Sequence, residues 1–471
     1  MADVPQHAAP DPAVLDLFRR VATTVPAYAA FLREHEIDPA EVTTVERFTR
    51  LPLTDKAGYT RRYALPELCR DGAIGEMIAV SSGSTGEPSF WPRSAADEEA
   101  VTARFEQVFR DAFRAHERRT LAVICFALGT WVGGLYTLGC CRRLAERGYR
   151  ITAVAPGNDK REILRVLPQL APYFEQVVLL GYPPFLKDVV DAGRAEGLPW
   201  ADYNVKLVTA GEVFSEEWRT LMAERAGMSD PCRDTASLYG TADAGVLGNE
   251  TPLSIEIRRL LAARPEAARE LFGESRLPTL VQYDPRARFF EQIDGTLAFS
   301  GDGGIPLIRY HIADEGGLIA YERMMDFLRR HELRPQTDGP RLPFVYVFGR
   351  SHFTVSFYGA NVYPENITVG LEQPGVSDLV TGKFVLEVLE DAAHDRVLAV
   401  TVELAAGAEA TPDVADRLTD SIQAQLLRLN SEFANYVPEH KRRPLVRTRP
   451  IGDPEYFPPG VKHRYTRPAT T

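Results

Sequence analysis

The sequence predicts an α/β protein in two parts: a large, multi-sheet N-terminal domain over residues 1–349 and a small, mobile α+β lid over residues 350–471. Three observations carry this. The chain has 471 residues, enough for two or more domains. Between residues 121 and 209, short apolar runs of strand length alternate with helical periods, the pattern of a parallel sheet with helices on both faces. From Thr279 the texture changes to antiparallel hairpins, and after Gly349-Arg350 it changes again, to one hairpin followed by a long helix.

Taken in order, residues 11 to 50 read as helical. Val14, Leu17 and Phe18, then Tyr28, Phe31 and Leu32, recur at spacings of three and four. Arg50 to Lys56 is an extended entry in which Thr54 or Asp55 suits a helix cap. Met77-Ile78-Ala79-Val80 ends a strand, and Ala96 to Glu117 carries a helical period with Val101, Phe105, Val108, Phe109 and Phe113 on one side. Strands are expected at Leu121–Phe126, Ile151–Val154, Val177–Leu180 and Val205–Thr209, with helices over 136–147, 160–174 and 184–196 between them. Thr279–Tyr283, Arg288–Gln292 and Thr296–Phe299 read as antiparallel strands, Asp294-Gly295 being the hairpin turn. Phe344–Phe348 is a further strand. In the lid, Lys383–Glu390 pairs with Arg396–Glu403, and one helix covers Val414 to Phe433. Ligands of parallel sheets bind beyond the carboxyl ends of the strands. Ser81 and Gly211 follow predicted strands and Tyr239 can do so, so these three are expected at one rim.

The run Ser81, Ser82, Gly83, Ser84, Thr85 and Gly86 has too little apolar surface to join a core. Its glycines let successive N–H groups turn inward, and its hydroxyls add donors, a nest suited to a polyphosphate. The same composition also suits a flexible surface linker. It is not a Walker loop, since the sequence contains no GxxxxGK[ST].

The company of this loop decides the reading. Tyr239-Gly240-Thr241-Ala242-Asp243 comes next, then Arg309-Tyr310-His311-Ile312-Ala313-Asp314, then Gly349-Arg350-Ser351 with Gly359 to Glu365, and finally Lys462. In this order and at these spacings the series resembles the adenylate-forming superfamily of acyl-CoA synthetases, adenylation domains and luciferases. Within it, the chain resembles the phenylacetate–CoA ligase-like branch, from about Val21 to Arg464.

The resemblance implies an AMP-forming ligase that uses ATP and Mg2+ to turn a small, aromatic carboxylic acid into its acyl adenylate, releasing pyrophosphate. An acceptor thiol, coenzyme A by default, then takes the acyl group. It places ATP phosphates on Ser81 to Gly86, adenine against Tyr239 with Gly211, Glu212, Gly240 and Thr241 nearby, and the ribose hydroxyls on Asp314 and Arg350. Asp243 becomes the metal carboxylate, and Lys462 the catalytic bridge between acid and α-phosphate, with Lys441 a competitor. Phe126, Trp131, Gly133, Ala236 and Tyr239 are the matching acid pocket, although aromatics beside glycines are as often plain core. Asp243 as a solvated strand end and Arg309 with Asp314 as a structural ion pair remain the bland alternatives. The chain also departs from the pattern: Glu87 stands where a lysine is usual, Ala242 and Asp243 where Thr and Glu are, and His352 at the hinge aspartate. An atypical member therefore stays open, one using an amine or carrier-protein acceptor or activating nitrite, as does a nucleotide binder without turnover.

Composition excludes other classes. A net charge of −11 argues against a nucleic-acid surface. No apolar run approaches the roughly 20 residues of a membrane span. The first residues lack the regions of a signal peptide, which predicts a cytoplasmic enzyme; a homodimer is left open. The five cysteines, Cys69, Cys125, Cys140, Cys141 and Cys232, form no CxxC pair and read as buried thiols.

Overall fold

The computed structural model describes residues 12–81, 89–273, 277–350, 354–405, 407–457 and 466. Within these, one compact unit takes in the chain to Val80, then Phe90–Gly181 and Leu186–Gly349; the other holds Ser81, Ser89, Tyr182–Phe185 and the residues from Arg350.

The first unit is built on one 11-stranded sheet. Ile151–Val154, Thr120–Ile124, Gln176–Gly181, Val205–Ala210 and Thr235–Thr241 lie side by side in that spatial order, all parallel. Thr120–Ile124 and Gln176–Gly181 are buried at every position, which is why they appear in the sequence as unbroken apolar runs. Two of the helices between them, Lys160–Leu170 and Glu216–Ala226, begin at polar caps. Asp159 accepts from the N–H groups of Arg161 and Glu162, and Ser215 from that of Trp218, with left-handed Gly227 closing the latter helix at φ 66°. The helix expected over 96–117 ends sooner: Ala95–Gln107 passes into a π turn, Val108–Ala112, and Arg114 turns the chain at φ 55°.

Beyond Thr235–Thr241 the same sheet continues with Gly245–Asn249, Thr279–Gln282, Phe344–Arg350, Leu307–Ile319, Thr296–Gly301 and Arg288–Ile293. Asp294 and Gly295, at φ 48° and 81°, make the expected tight turn. The two textures of the sequence are thus one continuous ladder. A sheet of this width curls, and Tyr239, Leu247, Val281, Phe290, Phe299 and Tyr310 of the antiparallel half share one core with Phe18, Tyr28 and Phe48 of the N-terminal helices. Two expectations need correction. Tyr239 does not follow a strand but lies inside Thr235–Thr241, and the strand before the serine loop, Met77–Ser81, is not part of the large sheet but pairs with Ser89–Arg93 in a small sheet of its own.

In the second unit Val380–Glu390 and Arg396–Leu404 form the expected antiparallel hairpin, and Leu445–Arg449 adds a parallel strand. Leu418, Ile422 and Leu426 are buried on helix Pro412–Leu429. The single helix expected over 414–433 breaks at Asn430, which caps Ser431–Tyr436 and donates from Nδ2 to the Asn361 carbonyl at 2.8 Å and to Asn366 Oδ1 at 3.0 Å. All five cysteines are free thiols, and burial pushes Cys140 up to about 12, keeping it un-ionised. Among the described residues no helix is long and apolar enough to cross a membrane.

Candidate active site

Two segments carry the carboxylates of the site, and each is shaped by backbone irregularity. Strand Thr235–Thr241 returns as Gly245–Asn249 through a turn in which the Ala244 N–H donates to Thr241 Oγ1 at 3.1 Å. Gly240 is required there, because a Cβ would lie 2.5 Å from the Gly245 carbonyl oxygen; Gly245 itself sits at φ 70°. In the long strand Leu307–Ile319 the pairing with Thr296–Gly301 slips twice, and residues with positive φ, Arg309 at 46° and Ala313 at 57°, mark the slips. Such bulges re-aim side chains locally. Here they fall just before Tyr310 and just before Asp314.

The result is an exchange of partners. Tyr239 Oη donates to Asp314 Oδ2 at 2.7 Å, and Tyr310 Oη donates to Asp243 Oδ2 at 2.6 Å. Each motif lends its tyrosine to the other's carboxylate. Tyr239, Tyr310 and Asp314 are buried and Asp243 is half-buried, so these are charge-assisted bonds largely screened from water. The Tyr239 ring also stacks on Phe290, centroids 6.5 Å apart and planes 23° from parallel.

The bland pairing of Arg309 with Asp314 does not occur. Arg309 is buried and grips Glu291: Nε lies 3.1 and 2.9 Å from its two carboxylate oxygens and Nη2 lies 2.9 Å from Oε1, while Nη1 donates to the Leu51 carbonyl. Thr54 stitches the same stretch. Its N–H donates to the Arg309 carbonyl at 3.1 Å, its Oγ1 to the Ile308 carbonyl at 2.8 Å, and its own carbonyl accepts the His311 N–H at 2.8 Å. Thr54 is thus no helix cap; Asp55 takes that part, accepting from the Gly58 N–H.

Gly211 is exposed at φ 86° just after strand Val205–Ala210, and Glu212 is buried. Beneath this loop, buried Arg219 binds Glu216 at 3.0 Å and Glu250 at 2.7 Å, and Arg258 donates to Glu216 and to the Phe214 carbonyl. Burial raises the Glu216 carboxyl, but Arg219 and Arg258 outweigh it and hold the group below its ordinary range.

Of the acid-pocket candidates, Phe126 and Ala236 are buried and Trp131 and Gly133 half-buried. The Val80 N–H donates to the Thr130 carbonyl at 2.9 Å, and Val80 bridges Trp131, tying the strand that precedes the serine loop to this stretch. Gly133 has room for a side chain, 3.5 Å from Phe126; Gly134 has none, since a Cβ would be 2.3 Å from the Ala127 carbonyl oxygen. Ser81 is buried at the end of its strand. Ser82, Gly83, Ser84, Thr85, Gly86, Glu87, His352 and Lys462 lie outside the described residues, and of Arg350 only the backbone, ending strand Phe344–Arg350, is described. Lys441 lies 3.9 Å from Asp395.

Among the described residues no three His, Cys, Asp or Glu side chains cluster as a metal site. Mg2+ does not require such a cluster, since it is bound through one or two carboxylates plus phosphate oxygens and keeps several waters. The Asp243 carboxylate is held at one oxygen by Tyr310. Tyr310 escaped the sequence reading because its partner is far along the chain; the repeated tyrosine beside each motif carboxylate was the available signal.

No family model matches the chain. A phenylacetate–coenzyme A ligase of Pseudomonas putida is 21% identical over 345 residues, 73% of this chain and 70% of that protein. A solved 2-hydroxyisobutyryl-CoA ligase in complex with 2-HIB-AMP and CoA, in its thioesterification state, superposes with a TM-score of 0.67 at 16% identity, covering 98% of this chain and 89% of the other. The same ligase in an open conformation, with the same ligands, gives 0.53 at 15% identity over 97% and 90%. These likenesses give the fold.

Proposed function

We propose, from the premise that this chain belongs to the adenylate-forming superfamily in fold and in its likeness to phenylacetate–CoA ligase, that it is an AMP-forming acid–CoA ligase for a small aromatic acid. In the first half-reaction an acid oxygen attacks the α-phosphorus of ATP and pyrophosphate leaves. In the second, the thiol of coenzyme A attacks the acyl carbon and AMP leaves.

One observation carries the assignment: the 2.7 Å bond between Tyr239 and Asp314, which sets the residue meant for adenine against the residue meant for ribose. A carboxylate accepts several hydrogen bonds, so Asp314 can take a diol while its orientation is held by Tyr239. Asp243 is the residue that would hold Mg2+; the bound metal neutralises charge on the phosphate oxygens. Ser81 to Gly86 are assigned to the β- and γ-phosphates, Gly211 and Glu212 to the edge of the adenine, and Arg350 to the ribose. Lys462 is assigned to the acid carboxylate and α-phosphate, where a cation offsets the charge that grows at the crowded phosphorus. Phe126, Trp131, Gly133 and Ala236 are assigned to the acid, in a cytoplasmic reaction.

The test is ATP–pyrophosphate exchange and AMP release across aryl acids, amino-aryl acids and nitrite, with and without coenzyme A. Exchange with an aryl acid, and product that requires the thiol, is the expected result; Lys462→Ala abolishes the exchange. No exchange with any acid refutes the reading. A second reading is favoured by Ala242, Asp243 and Glu87, which stand where the resemblance expects Thr, Glu and Lys. On that reading the activated acid is nitrite or the acceptor an amine, and product appears only when arylamine and nitrite are both present.

A further inference from the structure

The turn that carries Asp243 is gripped from below by two buried arginines. Arg93, at the end of strand Ser89–Arg93, donates from Nη1 and from Nη2 to the Asp243 carbonyl at 3.3 Å each, and from Nη2 to the Ala242 carbonyl as well. Arg288, at the start of strand Arg288–Ile293, donates from Nη2 to the Ala244 carbonyl at 3.3 Å and from Nη1 to the carbonyls of Ala287 and Asp302 at 2.9 and 3.3 Å. Three successive carbonyls of the turn are therefore held by guanidinium groups.

Arg93 also lies over the Tyr136 ring, 5.9 Å from its centroid, and Asp97 and Asp302 border a small cleft beside both arginines, but no carboxylate is bonded to either guanidinium among the described residues. Arg93 is 3% exposed and Arg288 8%, yet among the described residues neither forms an ion pair, and the Nε of each is buried without a partner. Both border the small cleft that Asp243 also lines. A buried cation with only neutral acceptors costs several kcal/mol, so stability alone does not account for two of them side by side. What both do achieve is geometric. With the carbonyls of 242, 243 and 244 fixed, the peptide planes on either side of Asp243 cannot rotate, and the direction of its Cα–Cβ bond is set. Tyr310 then fixes the carboxylate at its far end.

We propose that Arg93 and Arg288 are positioning residues: a two-arginine clamp that holds the Ala242–Ala244 turn so that the Asp243 carboxylate faces the metal of a bound MgATP. The inference rests on the proposed function for the role of Asp243. It explains why the fork of arginine is needed, since one guanidinium spans two carbonyls and an ammonium group cannot do so at the same geometry. The geometry is that of a metal site's outer shell, whose loss typically costs about 10–100-fold in metal affinity or activity.

The experiment is calorimetric ATP binding, with and without Mg2+, for the unmodified chain and for Arg93→Gln, Arg93→Lys and Arg288→Gln, with melting temperature as the folding control. The clamp predicts that metal-free ATP binding is unchanged, while the gain in affinity brought by Mg2+ falls by about 10-fold or more in Arg93→Gln. Arg93→Lys, which keeps the charge and most of the bulk, recovers only part of that gain. Equal losses with and without Mg2+, full recovery in Arg93→Lys, or no loss at all would overturn the clamp and leave the parent reading standing. An unmodified chain that binds ATP no better with Mg2+ than without it would overturn the metal role of Asp243, and the clamp with it.

Discussion

Replacing Arg309 by methionine tests how the site's long strand is held. The side chains of Arg309 and Glu291 are 7% and 5% exposed, and they meet through three contacts of 2.9 to 3.1 Å. Removing one member of such a pair leaves an uncompensated buried charge, a loss of about 3–5 kcal/mol. The Leu51 carbonyl loses its donor as well, while the methionine returns some packing, so about 4 kcal/mol is expected. Glu291→Gln should cost less, because an amide oxygen still accepts from the guanidinium. Arg309→Met with Glu291→Leu should recover much of the loss, since a buried ion pair and an apolar pair of similar volume are often equivalent. Urea unfolding followed by tyrosine and tryptophan fluorescence measures all three, and the coupling between the two positions should exceed about 1 kcal/mol. Because Thr54 fastens the Arg309–His311 stretch, Arg309→Met should also raise KM for ATP more than it lowers kcat. The reasoning is refuted if Arg309→Met costs under about 1 kcal/mol, or if the double variant equals the sum of the singles.

Three further outcomes follow from single contacts. Tyr239→Phe and Tyr310→Phe each remove a hydrogen bond to a carboxylate and should lower the unfolding free energy by about 1.5–3 kcal/mol, with a fall in kcat/KM for ATP as the carboxylate loses its orientation; unchanged stability and kinetics in both would refute the role given to the partner exchange. Gly134→Ala forces a Cβ to within 2.3 Å of the Ala127 carbonyl oxygen and should cost about 1–3 kcal/mol, whereas Gly139→Ala, farther along that helix and 4.0 Å from its nearest neighbour, Glu98, should be neutral or stabilising. Glu216, whose carboxyl is held low by Arg219 and Arg258 against the effect of burial, contributes stability that is full above its ordinary value of 4.5 and is lost as pH falls through the lower folded value. Unfolding free energies measured from pH 6 downward should therefore fall less steeply for Glu216→Gln, and identical slopes would contradict the account.

Most of the parallel half of the sheet was legible because Thr120–Ile124, Gln176–Gly181 and Val205–Ala210 are buried on both faces, whereas Ile151–Val154 at the sheet edge is partly exposed and Thr235–Thr241 was not expected as a strand. Val177-Val178-Leu179-Leu180 and Val205 to Thr209 are the same runs in sequence and in structure, to within a residue or two. The strand Leu307–Ile319 was not legible as a strand. Its two bulges break the alternation that a half-buried strand shows, so Arg309 to Asp314 read only as a motif. Tyr310 and Glu291 were passed over for another reason: their partners are distant in sequence, and spacing carries no information about them. Asn430 is different, because Asn-Ser-Glu after Leu429 is a helix-start pattern, and the amphipathic period running through it hid the break.

The partner exchange also constrains the shape of the sheet. Three strands, Gly245–Asn249, Thr279–Gln282 and Phe344–Arg350, lie between Thr235–Thr241 and Leu307–Ile319 in the ladder. In a flat sheet four spacings of about 4.8 Å would separate the outer two by about 19 Å, further than a tyrosine and an aspartate together reach. Yet Tyr239 meets Asp314 at 2.7 Å and Tyr310 meets Asp243 at 2.6 Å. The antiparallel half must therefore curl until the first and fifth of these strands face each other across its interior, where Phe290, Phe299 and Val281 fill the space. The two carboxylates are then fixed relative to one another by the curvature of five strands rather than by any local loop. This is why glycines and bulges, which set that curvature, are concentrated in the stretches that carry Tyr239, Asp243 and Asp314.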